Sequence, residues 1–188
     1  LMEYCYEANE PDKETIVSFF DKVLHGAVNK YSDIDASGFH NYSDILHHKL
    51  EENSFDYEHE KIMLYVNKAV KLYDDTFKEQ DSVLIHGDLH SYNIMSKNNQ
   101  LVAIDPIGYI APIEIDIARF IGTELTDGNG DISRNYKLLL EQFSSIADAD
   151  RLKKACFIDM VFRLHNSLFE NENYDLTDKW LNVLSQIA

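Results

Sequence analysis

His86-Gly87-Asp88-Leu89-His90-Ser91-Tyr92-Asn93, followed shortly by Ile104-Asp105-Pro106, is the most informative stretch of this chain. Before it lies Ser82-Val83-Leu84-Ile85-His86, a short apolar run of buried-strand type. After it, Asn93-Ile94-Met95-Ser96 and Leu101-Val102-Ala103-Ile104 read as two more strands joined across residues 97–100. Asn98-Asn99 suits a tight turn between them, because asparagine tolerates positive φ. A carboxylate, Asp88, and an amide, Asn93, thus lie five residues apart on one loop after a strand. The arms of the hairpin are close in length, so it folds a second carboxylate, Asp105, back beside Asn93.

Such a set suits phosphoryl transfer. Magnesium prefers oxygen ligands and usually takes only one or two carboxylates from a protein. Asp105 and Asn93 would hold the ions that bridge the phosphates, while Asp88 would orient an acceptor hydroxyl and take its proton. Catalysis would then rest on positioning and charge neutralisation. Singly, each residue has an ordinary structural role: a turn carboxylate, an Asx-type turn, a strand-end cap. The combination at this spacing is what points to chemistry.

Outward from this centre the chain reads as helical, with only 7 Gly and 3 Pro among 188 residues to interrupt it. Pro11 and Asp12 open a helix through about Val28, with Ile16, Phe19, Phe20, Val23 and Leu24 on one face. Residues 31–39 read as a polar loop, 42–50 as a short helix and 57–77 as a long one. Pro112 is expected to open the next helix, to about Leu125. Asp127-Gly128-Asn129-Gly130-Asp131 breaks the chain, and helices over about 133–147, 150–169 and 176–187 complete it. The fold class is α+β, mainly α, with a small β-hairpin that carries the functional loops.

Composition excludes several classes. The length suits one domain that buries roughly 70% of its unfolded surface and needs no disulfide or metal staple. The cysteines are two, Cys5 and Cys156, which is no disulfide framework and suits a reducing cytosol. The first residues lack the basic and apolar segments of a signal peptide, and no apolar run approaches the roughly 20 residues that span a bilayer. A cytoplasmic protein is expected. With 17 Lys+Arg against 33 Asp+Glu, the formal charge is −16. That surface repels nucleic acid and anionic membrane and favours small cationic partners.

The run H-G-D-x-x-x-x-N followed by I-D-P resembles the catalytic loop and metal-binding segment of aminoglycoside phosphotransferases, which share the protein-kinase fold. The streptomycin/hydroxyurea phosphotransferase group is the nearest in flavour, with D-P-x-G and then D-x-A. Here these read Asp105-Pro106-Ile107-Gly108 and Asp116-Ile117-Ala118. The resemblance implies the C-terminal lobe of a kinase-like fold that uses ATP and magnesium. It assigns Asp88 as catalytic base and Asn93 and Asp105 as metal ligands. It gives His86 the part of a loop anchor, and His90 a phosphate-contacting role. Asp116 is implied to support the loop through hydrogen bonds to its backbone, although Pro112 lies four residues before it where the family commonly has three.

No glycine-rich phosphate loop or strand lysine precedes residue 86. Leu1-Met2-Glu3-Tyr4-Cys5 is similar to the family's inter-lobe linker, in which the backbone of Glu3, Tyr4 and Cys5 would meet the adenine. Residues 1–8 are accordingly expected to be a hinge remnant and residues 9–188 the lobe, with little or no kinase activity in the isolated chain. The implied acceptor is a small cationic molecule, foremost an aminoglycoside such as streptomycin; choline, amino-sugar and homoserine kinases use similar motifs. The rival class is a kinase-derived lobe that binds without turnover.

Other patterns are weaker. The Asp127–Asp131 segment mimics a calcium loop but fails at Ile132, where glycine is required, and at Leu138, where glutamate is. His47 and His48 are adjacent on a helix and point apart. His86, Asp88 and His90 alternate as in a metallohydrolase, but Gly87 and Asn93 fit a catalytic loop better. Tyr57, Tyr109 and Tyr174 are candidate pocket aromatics, and Glu124, Asp159 and Glu170 candidate acidic contacts for a cation.

Overall fold

The computed structural model describes residues 6–7, 13–30, 38–51, 57–77, 82–98, 100–128, 130–170 and 174–187. Among these, in chain order, run β1 (Tyr6–Glu7), α1 (Lys13–Lys30), β2 (His40–Asn41), α2 (Tyr42–Glu51), α3 (Tyr57–Thr76), β3 (Ser82–Ile85), β4 (Ile94–Lys97), β5 (Gln100–Ala103) and β6 (Tyr109–Pro112). Four helices follow: α4 (Glu114–Asp127), α5 (Ile132–Phe143), α6 (Ala149–His165) and α7 (Tyr174–Ile187). A 3₁₀ turn covers Ser91–Asn93, and one π-helical turn, Asn166–Glu170, extends α6.

The centre of the lobe is α6, which packs against α4, α3 and α7. Every residue from Ala155 to Phe162 is buried, so this stretch of the helix has no solvent face, as expected where it runs through a core, while Asp150 and Lys153 near its start are exposed. Its start is fixed by Asp148, whose side chain accepts from the backbone N–H groups of Asp150 and Arg151. From the other side, α4 buries every residue from Glu114 to Thr123. Where α3, α4 and α6 meet, Arg151 Nε donates to Glu114 Oε1 at 2.6 Å, and the guanidinium lies 4.7 Å from the Phe77 ring centroid. Of the apolar stripe read in α1, Ile16, Phe19 and Phe20 are buried and Val23 is partly buried, while the side chain of Leu24 lies outside the described residues. Phe20, fully buried, meets the rings of Phe120 and Phe143 edge-on, each at 5.2 Å.

The strands form two small sheets. In one, β4 and β5 make the expected hairpin, with Ile94 opposite Ala103 and Lys97 opposite Gln100, and β1 adds antiparallel to β4. Asn98 turns the hairpin at φ 51°. The other sheet was not expected. β6 pairs antiparallel with β3, Ser82 opposite Pro112 and Ile85 opposite Tyr109, and β2 adds in parallel through His40 and Asn41. Pro112 therefore ends a strand rather than opening a helix, and α4 begins two residues later. A proline has no N–H for a ladder, so it fits this terminal position. The helix read over 133–147 stops earlier, at Phe143. None of the helices in the described residues is long and apolar enough to cross a membrane.

Phe20→Ala is expected to cost about 3–5 kcal/mol in denaturant unfolding, since it empties the junction of three rings. Leu64→Ala, at a site 71% exposed, is expected to stay within about 0.5 kcal/mol.

Candidate active site

The loop that leaves β3 is held by one buried carboxylate. Asp116, 1% exposed in the first turn of α4, accepts the backbone N–H of His86 at Oδ2 and that of Gly87 at Oδ1, both at 2.8 Å. Burial pushes its carboxyl up to about 6, against the pull of these two N–H groups. His86 ties the loop to the end of β5. Its Nε2 lies 2.9 Å from the Ile104 carbonyl, which can only accept, so Nε2 carries the proton and Nδ1 accepts from the Asp88 N–H at 3.3 Å. Burial, opposed by the bond to Ile104, lowers the pKa of His86 and favours this neutral form. The His86 carbonyl in turn accepts the N–H groups of Ile107 and Gly108 at 3.0 Å each.

Gly87 adopts φ 81° because nothing larger fits: a β-carbon there would lie 2.7 Å from Cδ2 of Tyr109. Leu89, fully buried, pins the loop to the core and leaves Asp88 and His90 on the open side. The Asn93 N–H then bonds the His90 carbonyl at 2.9 Å and closes the 3₁₀ turn.

Asp88 is the hub of this loop. Its Oδ1 receives Arg119 Nη1 at 2.9 Å and Arg163 Nη2 at 2.7 Å. Its Oδ2 lies 3.3 Å from Asn93 Nδ2 and 3.3 Å from His90 Nε2. Burial raises its pKa, but the His90 hydrogen bond and the two guanidinium groups outweigh it and hold the carboxyl far below the usual carboxylate range. Asp88 and Asn93 are therefore in contact.

Asp105 is exposed and stands one residue past the end of the hairpin ladder, where the Ile104 N–H donates to the Asn93 carbonyl at 3.0 Å. Its φ of 57° is a left-handed conformation that aspartate tolerates better than most residues. The backbones of Asn93 and Asp105 thus neighbour each other. Both fit a hard cation by donor chemistry. The Asn93 amide nitrogen is turned to the Asp88 carbonyl at 2.9 Å, which leaves its oxygen for a ligand. Among the described residues, no group of three or more His, Cys, Asp and Glu could hold a metal ion unaided. Glu3, Tyr4 and Cys5 lie outside the described residues.

Sequence reasoning missed both arginines. Arg119 is one helical turn beyond Asp116 on α4, and Arg163 is one turn beyond Asp159 on α6. A charge inside an otherwise apolar helix needs a partner, and two such acid–arginine pairs were the available signal. Asp159 is corrected: it is fully buried and receives Arg119 Nε at 2.8 Å, Arg119 Nη2 at 2.7 Å and the Tyr42 hydroxyl at 3.2 Å, so it faces no cation from solvent. Tyr109 packs on Tyr42 and Phe162. Asp127 accepts from the Tyr92 hydroxyl at 3.0 Å and Asp131 caps α5, which gives both aspartates structural partners in place of calcium.

Two substitutions test the scaffold. Asp116→Ala leaves two backbone N–H groups without acceptors and is expected to cost about 2–4 kcal/mol in denaturant unfolding. Asp116→Asn keeps one acceptor and does not titrate. From the ordinary value of 3.8 to about 6, the unfolded chain has released the Asp116 proton while the folded chain keeps it. The stability contributed by the protonated form is therefore complete below 3.8 and fades by about 3 kcal/mol as pH rises through this window. The stability gap between wild type and D116N is expected to be widest near pH 4 and narrowest at pH 7.

No protein-family model matches the chain, and no curated protein sequence matches it. Solved structures do. An amicoumacin kinase, hAmiN, in complex with AMP-PNP, Ca2+ and Ami, superposes with a TM-score of 0.68 at 13% identity, over 98% of this chain and 63% of that one. Choline kinase LicA from Streptococcus pneumoniae gives 0.60 at 16% identity, over 98% and 67%. A macrolide 2'-phosphotransferase type I gives 0.53 at 14%, over 100% and 67%. The chain spans about two thirds of the length of these small-molecule kinases, and its fold is that of a kinase-like C-terminal lobe.

Proposed function

We propose that this chain carries the catalytic and metal-binding lobe of an ATP-dependent phosphotransferase whose acceptor is a hydroxyl of a small cationic molecule, foremost an aminoglycoside such as streptomycin. One observation carries the reading. A single loop, braced from beneath by Asp116, holds the Asp88 carboxylate and the Asn93 amide in contact, and the backbone of Asp105 neighbours that of Asn93. Residues 9–188 form the lobe on this reading, residues 1–8 the inter-lobe connector, and the backbone of Glu3, Tyr4 and Cys5 the adenine contact.

The acceptor oxygen attacks the γ-phosphorus in line, the bond to the β–γ bridging oxygen breaks, and ADP leaves. Asp88 Oδ2 accepts the hydroxyl hydrogen bond and aligns the oxygen. A carboxylate so depressed in pKa is a weak base, so its first task is orientation, and the proton moves late, once the new oxygen–phosphorus bond has formed. His90, whose Nε2 lies 3.3 Å from Asp88 Oδ2, takes the phosphate-contacting role on this reading. Magnesium would supply charge neutralisation of the phosphates, held by the Asn93 amide oxygen and the Asp105 carboxylate. The formal charge of −16 supports a cationic acceptor.

The test is acceptor-dependent ADP release by the protein in its complete natural form, with streptomycin, other aminoglycosides, choline and homoserine as acceptors. Turnover is expected with magnesium and is expected to stop on chelation. Asp88→Asn is expected to lower kcat by about 10²–10⁴, and Asp105→Asn to raise the magnesium concentration needed for half-maximal rate. Full turnover by D88N would remove the role assigned to Asp88.

A further inference from the structure

Behind Asp88 stands a chain of charges that sequence motifs do not contain. Asp159, fully buried on α6, has both oxygens filled by the Arg119 fork and by the Tyr42 hydroxyl. A buried carboxylate so saturated is a fixed post, and Arg119 is aligned by it. The nitrogen of Arg119 that remains, Nη1, reaches Asp88 Oδ1 at 2.9 Å. Arg163, one turn beyond Asp159, brings its Nη2 to the same oxygen at 2.7 Å while its Nε stays 3.7 Å from Asp159 Oδ2. Its guanidinium carbon lies 5.9 Å from the Trp180 ring centroid, which limits how far the arginine can swing.

Two guanidinium groups therefore converge on one oxygen of Asp88. The terminal torsion of an aspartate is broad, so Arg119 on Oδ1, with only the longer 3.3 Å contacts of Asn93 and His90 on Oδ2, leaves the carboxylate room to tilt. Donors from two directions on Oδ1 fix the plane and direct Oδ2 toward Asn93 and His90, the open side of the loop.

We propose that Arg163, acting with Arg119, is a positioning residue that sets the plane of the Asp88 carboxylate and so the direction in which its free edge meets the acceptor hydroxyl. The proposal rests on the phosphotransferase reading for its catalytic consequence and on the two-arginine geometry for its structural one. Arg163 is the member to test, because its side chain is 22% exposed while that of Arg119 is 5% exposed. Near-attack geometry is sensitive to displacements of about 1 Å, worth up to about 10² in rate.

The experiment uses the natural full-length protein as wild type, R163A, R163M and R163K. R163M keeps the apolar stem against Trp180 and serves where R163A folds poorly. Crystal structures give the orientation of the Asp88 carboxylate, and kinetics give kcat and KM. Expected are a turned carboxylate and a kcat lowered by about 10–100-fold in R163A and R163M, KM values for ATP and acceptor nearly unchanged, and partial recovery of both readouts in R163K. A carboxylate that keeps its orientation without Arg163 overturns the proposal, whatever the rate does. So does a turned carboxylate with unchanged kcat, or a raised KM with unchanged kcat, which would make Arg163 an acceptor contact. If wild type transfers phosphate to no acceptor while Asp88 turns in the variants, the phosphotransferase reading falls and the clamp remains.

Discussion

Asp116 is the residue on which the site depends. A loop that leaves a strand without regular structure has backbone N–H groups with no ladder to join, and burying them unpaired is costly. The two oxygens of one buried carboxylate answer the N–H groups of His86 and Gly87, and the loop then has a single path. Everything beyond follows from that path. Gly87 passes over the Tyr109 ring, Leu89 enters the core, and Asp88 emerges where Arg119, a turn further along the same helix as Asp116, can meet it. α4 thus shapes the loop with one side chain and holds its working carboxylate with another.

The parts legible in sequence were those written in local pattern. The hairpin announced itself through two apolar runs and an asparagine pair, and Asp88 with Asn93 through their spacing. The long helices showed their apolar faces, as in α1 and α3. What stayed hidden was set by distant partners. β6 is four residues long, ends in proline and borders a helix, so nothing local marks it as a strand; it exists because Ser82 to Ile85 pair with it. The middle of α6 is buried all round, so periodicity could mark the helix's extent but not which partners its polar residues have. Asp159 read as a candidate cation contact, because sequence gives its charge and not the guanidinium that consumes it.

A small-molecule kinase fold is shared by proteins acting on quite different acceptors, and the likeness to an amicoumacin kinase, a choline kinase and a macrolide phosphotransferase reaches only the fold. Within that fold, the bracing of the loop after β3 can be followed residue by residue. His86 links β3, the loop and the end of β5 through one ring and one carbonyl, so that Asp88 and the strand end that precedes Asp105 are tied to one side chain.

The cluster of Asp88, Asp159, Arg119 and Arg163 sums to zero formal charge. These four groups balance one another, so Asp88 itself adds no net pull on a visiting ammonium group, despite the acidity of the molecule as a whole. On the phosphotransferase reading, capture and chemistry are divided: carboxylates outside this cluster draw the acceptor in, and the charge-balanced Asp88 meets whichever hydroxyl is delivered to it. Changes in the capturing surface could then redirect the enzyme among amines without disturbing the machinery that moves the phosphoryl group.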